Sequence, residues 1–251
     1  MHRFGMSHRF FVAPQAIVNG RVQFDAALSH QIAHVLRMQP GARVTVLDNS
    51  GLEYEVELSE VRREGVVGQV CGQQQAETEA QVSLTLYAGV LKGEKFEWVL
   101  QKATELGVRA FVPLISERTV VRNAAHVEKK RDRWERIIRE AAEQSGRARL
   151  PTIASPMSLE AALAQSAAQN DRSLFPCLDV CALSLADALH DAPPSAHIGV
   201  FIGPEGGFSP QEATLARENG LHRVSLGPRV LRAETAGIAV IALTLFALGE
   251  V

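Results

Sequence analysis

The sequence predicts an α/β protein in two parts, a small β-rich N-terminal part and a larger part built on a parallel sheet. Three observations carry this. Short β-branched or alternating runs recur between glycines in the first third, a polar stretch without apolar periodicity follows at 72–81, and apolar strands alternate with amphipathic helices beyond it.

In chain order, residues 9–13, 43–48, 52–58 and 65–71 read as strands. One short helix interrupts them, because Leu28, Ile32, Val35 and Leu36 recur at helical spacing. Ser29 is placed as its N-cap and Pro40-Gly41 as its stop. The stretch 72–81, GQQQAETEAQ, reads as a linker and puts the domain boundary near residue 75, dividing the chain into 1–75 and 76–251. Residues 82–91 form a nearly continuous apolar strand, and 94–106 a helix whose Phe96, Val99, Leu100, Ala103 and Leu106 share one face, ended by Gly107. A strand at 109–115 comes next. Trp134, Ile137, Ile138, Ala141 and Ala142 mark the buried stripe of a second long helix, and further strands fall at 173–178, 197–202 and 223–226. Such alternation implies a parallel sheet covered on both faces.

The composition suits such a fold: 251 residues, 46% hydrophobic and 22% charged, bury the core of one large domain or two ordinary ones. The longest strongly apolar run, 237–248, is too short for a membrane span and reads as a core helix, so no membrane partner is expected. The N-terminus has no apolar signal core followed by a cleavage site. Cys71, Cys177 and Cys181 form neither a CxxC pair nor a dense framework, so a reducing, cytoplasmic setting without structural metal is expected.

The net charge of −2 does not suggest a nucleic-acid partner, but the charge is uneven. Between Arg118 and Arg149 ten basic side chains face five acidic ones, a local balance of +5 that leaves −7 elsewhere. Within 129–145, pairs such as Glu135 with Arg139 sit four apart, as on a solvated helix face. Arg118, Arg122, Arg147 and Arg149 stand outside that lattice and are the better candidates for phosphate contacts.

In open α/β sheets ligands bind beyond the carboxyl ends of the strands, which draws attention to two loops. The first runs Ile202-Gly203-Pro204-Glu205-Gly206-Gly207-Phe208 into a helix signalled by Ser209 as N-cap, Pro210 at its first position and Glu212 completing a capping box. It is neither GxGxxG nor a GK[ST] phosphate loop, which argues against a dinucleotide or ATP. By itself it is equally readable as a structural tight turn. The second runs Leu226-Gly227-Pro228-Arg229-Val230-Leu231-Arg232-Ala233-Glu234-Thr235-Ala236 and sets Arg232 and Glu234 at the mouth of the final helix. There Glu234 either favours the helix dipole or does chemistry. Two such turns in one sheet suit a small flat ligand held through main-chain groups.

Several separated blocks resemble one family, the SPOUT methyltransferases, in the branch that modifies small-subunit ribosomal RNA. They are His8-Arg9-Phe10-Phe11, His34-Val35-Leu36-Arg37, the run QKATELGV at 101–108, Arg133-Trp134, residues 140–147, 202–207 and 226–236. The chain departs from the family in a leader at 1–6 and in the region 43–72. The resemblance implies a small PUA-like RNA-binding β-barrel domain, a C-terminal domain with a parallel sheet and a trefoil knot, and a homodimer. It carries S-adenosylmethionine binding onto Gly203, Glu205, Gly206, Leu226, Gly227 and Leu231, with Leu178 a weaker addition, and implies methylation of uridine N3 in the RNA of the small ribosomal subunit. For that chemistry Arg232 is assigned to the developing anion and Glu234 to proton removal or to orienting Arg232. The sulfonium donor needs no metal. Arg9, Arg122 and Arg147 are the candidate RNA contacts, with Phe10 and Phe11 beside Arg9 either at that surface or in the core. Methylation of another base or of a ribose 2′-hydroxyl, and a non-catalytic RNA-binding assembly factor, are the competing readings.

Overall fold

The computed structural model describes residues 8–62, 64–121, 123–178 and 182–250. The chain divides into two compact units, Met1–Glu79 with Ala142–Leu150, and Ala80–Ala141 with Pro151–Val251.

The first unit contains β1 (Arg9–Phe11), β2 (Ile17–Val18), β3 (Arg21–Gln23), α1 (Ala26–His30) continued by a π-helical turn at Gln31–Val35, β4 (Arg43–Leu47), β5 (Leu52–Arg62) and β6 (Gly65–Gln75). They form one sheet in the order β1-β4-β5-β6-β3-β2, with β1 parallel to β4 and the other neighbours antiparallel. Alternate residues of these strands turn inward, so that Phe10, Val22, Val44, Val46, Val56 and Leu58 share one core with Phe24 and Ile32. Phe10 and Phe11 are therefore core residues, 1% and 2% exposed.

Two details differ from the sequence reading. The N-cap of α1 is Asp25, whose extended backbone and carboxylate, accepting from the Leu28 N–H at 2.8 Å, satisfy the helix start. Ser29 lies inside the helix, buried, donating to the Phe24 carbonyl and accepting from the Val66 N–H. The stretch read as a linker begins as strand, since β6 runs to Gln75. Its end is fastened by Glu79, whose carboxylate accepts from Arg147 at 2.7 Å and from the backbone N–H groups of Ala148 and Arg149.

The second unit contains β7 (Ser83–Gly89), α2 (Lys95–Leu106), β8 (Ala110–Ile115), α3 (Ala124–Glu128), α4 (Arg131–Ser145, its last residues belonging to the first unit), β9 (Thr152–Ile153), β10 (Met157–Ser158), α5 (Leu159–Gln169), β11 (Arg172–Pro176), α6 (Leu185–Leu189), β12 (His197–Ile202), α7 (Pro210–Glu218), β13 (His222–Val224) and α8 (Ala233–Ala247). The sheet runs β10-β8-β7-β12-β11-β13, with β9 beside β8, and its pairs are parallel. Both faces are covered, as the apolar strands require. Leu84, Leu86 and Ala88 of β7, with Ile198, Val200 and Ile202 of β12, pack under α2 and α8, whereas Tyr87 and Phe201 turn to the opposite face with Leu163 of α5 and Ala216 of α7. Helix α2 ends at Gly107 with φ +107°, a left-handed C-cap that glycine adopts without steric cost.

This order positions the site. From β7 the chain steps to β8 on one side, while from β12 it steps toward β13 on the other, so the neighbours β7 and β12 flank the switch point where such sheets bind ligands. After β13, at the sheet edge, the chain returns to enter α8, which packs against α2 and β12.

Candidate functional site

Beyond the ends of β12 and β13 two loops stand over the sheet. The first leaves Ile202 and turns tightly, the Gly207 N–H donating to the Pro204 carbonyl at 2.8 Å with Gly207 at φ +65°. A Cβ at Gly203 would lie 3.0 Å from the Gly207 carbonyl carbon and from the Phe208 nitrogen, so any other residue would press on the turn's own backbone. The turn is braced from outside: Glu205 accepts from the Lys92 N–H at 2.9 Å, and the exposed Arg118 donates to the Gly206 carbonyl at 2.8 Å. It then enters α7 through the expected capping box, with Ser209 accepting from the Glu212 N–H and Glu212 accepting from the Ser209 N–H.

The second loop carries Gly227 at φ +93° and delivers Arg232 as the N-cap of α8, its backbone extended and its side chain exposed. Glu234, in the first turn of α8, is 15% exposed, and its Oε1 lies 3.7 Å from Lys95 Nζ at the start of α2. Its Oε2 is buried and has no hydrogen-bond partner.

The two loops enclose a cleft of about 650 Å³, within the range of small-molecule sites, lined among others by Leu178, Gly203, Glu205, Gly206, Leu231, Arg232 and Glu234. A smaller recess of about 110 Å³ shares Leu178 and Leu231 with it and adds Leu226 and Gly227. Every residue carried over for the cofactor, and both assigned to chemistry, thus lines one pair of adjoining clefts. The walls are largely glycine backbone and apolar side chains, with Lys95, Arg232 and Glu234 gathered at the α8 end, Glu205 on the β12 loop and Arg229 beside the smaller recess. A second cleft, about 690 Å³, lies between α5 and α7 but is lined by Glu117, Glu160, Glu212 and Glu218 and has no glycine turn.

The candidate RNA residues are placed differently. Arg147 is 4% exposed and held by Glu79, and Arg9 is paired with Glu53 at 2.5 Å while also donating to the Gly146 carbonyl. Both guanidiniums are thus paired with carboxylates within the first unit. The charge density of 118–149 hides this, because sequence shows the arginines but not the distant acids that meet them. Arg122 lies outside the described residues. Arg149 donates to the carbonyls of Asn49 and Ser50. Among the described residues no cluster of metal-ligating side chains is present, and Cys71 and Cys177 are free thiols. Cys181 lies outside the described residues.

Sequence reasoning missed Lys95 and Gly89. Lys95 carried a faint signal, a cation at the positive end of a helix. Gly89 carried none, since its neighbour Pro204 comes from a distant loop.

The RNA methyltransferase domain family matches residues 78–245, and the RNA methyltransferase PUA domain family matches 25–71. The chain belongs to the RNA methyltransferase family. A ribosomal RNA small subunit methyltransferase E from Synechocystis is 34% identical over 239 residues, covering 95% of this chain and 77% of that protein. Its namesake from Bacillus subtilis is 31% identical, with 82% of each chain covered. Among solved structures, a ribosomal RNA small subunit methyltransferase E from Neisseria gonorrhoeae bound to S-adenosyl methionine superposes with a TM-score of 0.85 at 31% identity, covering 96% of this chain and 97% of that one. A putative methyltransferase from Legionella pneumophila in complex with the same cofactor gives 0.87 at 29%, covering 96% and 98%. These matches place the family's α/β fold on the second unit and its PUA fold on the curled sheet of the first.

Proposed function

We propose that this member of the RNA methyltransferase family transfers a methyl group from S-adenosylmethionine to N3 of a uridine in the RNA of the small ribosomal subunit. The observation that carries the reading is the glycine-walled pair of clefts at the switch point, in a chain whose relatives are named for small-subunit ribosomal RNA methylation and whose structural neighbours hold that cofactor.

The residues fit the donor. Gly203, Gly206 and Gly227 would hold the donor through main-chain groups, while Leu178, Leu226 and Leu231 would supply apolar surface. Glu205 is tied to Lys92 and fixes the turn. Bound there, S-adenosylmethionine would supply an electrophilic methyl group. The remaining work falls to this chain. Uridine N3 carries a proton between two carbonyls, so it is a poor nucleophile until that proton leaves. In this reading Glu234, at the mouth of α8, takes the proton or orients Arg232, and Arg232 balances the charge spreading onto the uracil oxygens. A base hidden in a duplex presents no N3 edge, so the target uridine is unpaired or splayed out.

Residues 1–75 are assigned to RNA binding and 76–251 to catalysis. The stretch that returns from β13 to α8 is where the family resemblance implies a C-terminal trefoil knot. A homodimer is favoured by large apolar side chains left at the surface of α8 and α2, Leu243 (46% exposed), Phe246 (70%) and Trp98 (44%). A cytoplasmic site of action suits a ribosomal substrate, and no helix among the described residues is long and apolar enough to cross a membrane.

The deciding experiment is nucleoside mass spectrometry of small-subunit ribosomal RNA from cells lacking this protein. Loss of 3-methyluridine supports the proposal, and an unchanged 3-methyluridine content with loss of another methylated nucleoside overturns it.

A further inference from the structure

Of the four arginines that stand outside the α4 charge lattice, Arg147 and Arg149 are bonded within the first unit and Arg122 lies outside the described residues, which leaves Arg118. Its backbone is fixed on both sides. Ser116 and Thr119, both buried, close a turn in which the Ser116 N–H donates to Thr119 Oγ1 at 2.9 Å and the Thr119 N–H to the Ser116 carbonyl at 3.1 Å. The Glu117 N–H donates at 2.8 Å to Glu212, the carboxylate that also caps α7. From this pinned turn the exposed Arg118 side chain lies along the donor loop. A Cβ at Gly206 would come within 3.2 Å of Arg118 Cβ and 3.3 Å of its Cδ, and Arg118 Nη1 donates to the Gly206 carbonyl at 2.8 Å. That bond uses one of the five guanidinium N–H groups. Among the described residues no carboxylate pairs with the charge, and Glu205, next to Gly206, accepts from the Lys92 N–H instead. A planar fork left open at the rim of the donor cleft matches a phosphate.

We propose that Arg118 couples the two substrates, holding the donor turn through the Gly206 carbonyl while its remaining N–H groups take a phosphate of the RNA. The inference rests on the assignment of the clefts to S-adenosylmethionine. Its physical basis is the ordering of one side chain. An exposed arginine samples many rotamers, and whichever ligand orders it first lowers the cost of ordering it for the other. A phosphate clamped against the outer N–H groups keeps Nη1 on Gly206, and the 203–208 turn is then set for the donor. The donor in turn steadies Gly206, and with it the guanidinium that the phosphate meets. Reciprocity requires that each ligand tighten the other by the same factor.

The test measures binding of S-adenosylhomocysteine, which lacks the methyl group and so cannot react, to the full chain by calorimetry with and without unmodified small-subunit ribosomal RNA. In the wild type the RNA is expected to tighten this ligand about 5- to 10-fold, and the ligand to tighten the RNA equally. Arg118→Met keeps a stem against Gly206 and removes every donor. It should weaken S-adenosylhomocysteine alone about threefold, lower the salt slope of RNA binding by about one and abolish the mutual tightening. Arg118→Lys keeps the charge without the fork, and should restore the salt slope but little of the coupling. Thermal melts check folding, and Arg118→Gln stands in if Arg118→Met does not fold. Mutual tightening that persists in Arg118→Met overturns the proposal, as does a wild type in which neither ligand affects the other, and both results spare the donor site. An unchanged salt slope means that no phosphate meets Arg118 and overturns it too. A wild type that does not bind S-adenosylhomocysteine overturns the donor site and the proposal together.

Discussion

Gly89 at the end of β7 lies against Pro204 of the loop after β12 with no room for a side chain: a Cβ at Gly89 would stand 2.5 Å from the Pro204 nitrogen and 2.8 Å from its Cδ. No rotamer relieves that contact, because the atoms met are main chain and a proline ring. Gly89→Ala is therefore expected to push the 203–208 turn off the sheet, with strain of about 1–3 kcal/mol, and to weaken S-adenosylmethionine binding about tenfold or more. Calorimetry on the folded variant checks this. Unchanged affinity would show that the donor does not depend on where this turn sits.

Arg232 separates binding from chemistry, since it assists only as the uracil ring gains charge. Arg232→Ala should lower the single-turnover rate by about 10²-fold while leaving both substrates bound. Higher pH should recover part of the loss, because more of the uridine is then already ionised. A variant that loses rate only through weaker RNA binding would make Arg232 a phosphate contact instead.

Arg147 and Glu79 should behave as a structural pair. Removing Arg147 leaves a carboxylate only 16% exposed without its cation, and Arg147→Ala is expected to cost about 3 kcal/mol of stability. Denaturant unfolding measures that loss, and the salt dependence of RNA binding tests the other role. A variant of normal stability with a flattened salt slope would return Arg147 to the RNA surface.

His222, on the edge strand β13, is held below its ordinary value of 6.5 by burial first and by the positive charge of Arg172 second. The native state thus binds this proton less tightly than the unfolded chain does. The stability His222 contributes is full above about pH 6.5 and is lost as pH falls below that toward its depressed native value. Melting temperature should drop from neutral to mildly acidic pH, and His222→Gln should remove part of the drop. An identical slope in the variant would assign the acid sensitivity to carboxylates.

What the sequence determined by itself were the features set within one or two turns of chain. Phe96, Val99, Leu100 and Ala103 mark the buried face of α2, Ser209 and Glu212 start α7, and Gly107 ends α2, because periodicity, capping and left-handed backbone act over a few residues. The bounds of β12 were legible for the same reason, since a strand buried on both faces reads as an unbroken apolar run. The eleven-residue α5, whose apolar residues mark no sharp face, was missed, and the three-residue β13 was displaced by a residue or two, their local signal being weak. Tertiary structure alone decided which acid meets which base. Arg147 looked like a surface cation until Glu79 closed on it, Ser29 looked like a cap until the backbone at Asp25 took that place, and Lys95 meets Glu234 only because α8 returns to α2. Ion pairs between distant residues depend on strand order and chain path, and neither is written in the spacing of neighbours along the chain.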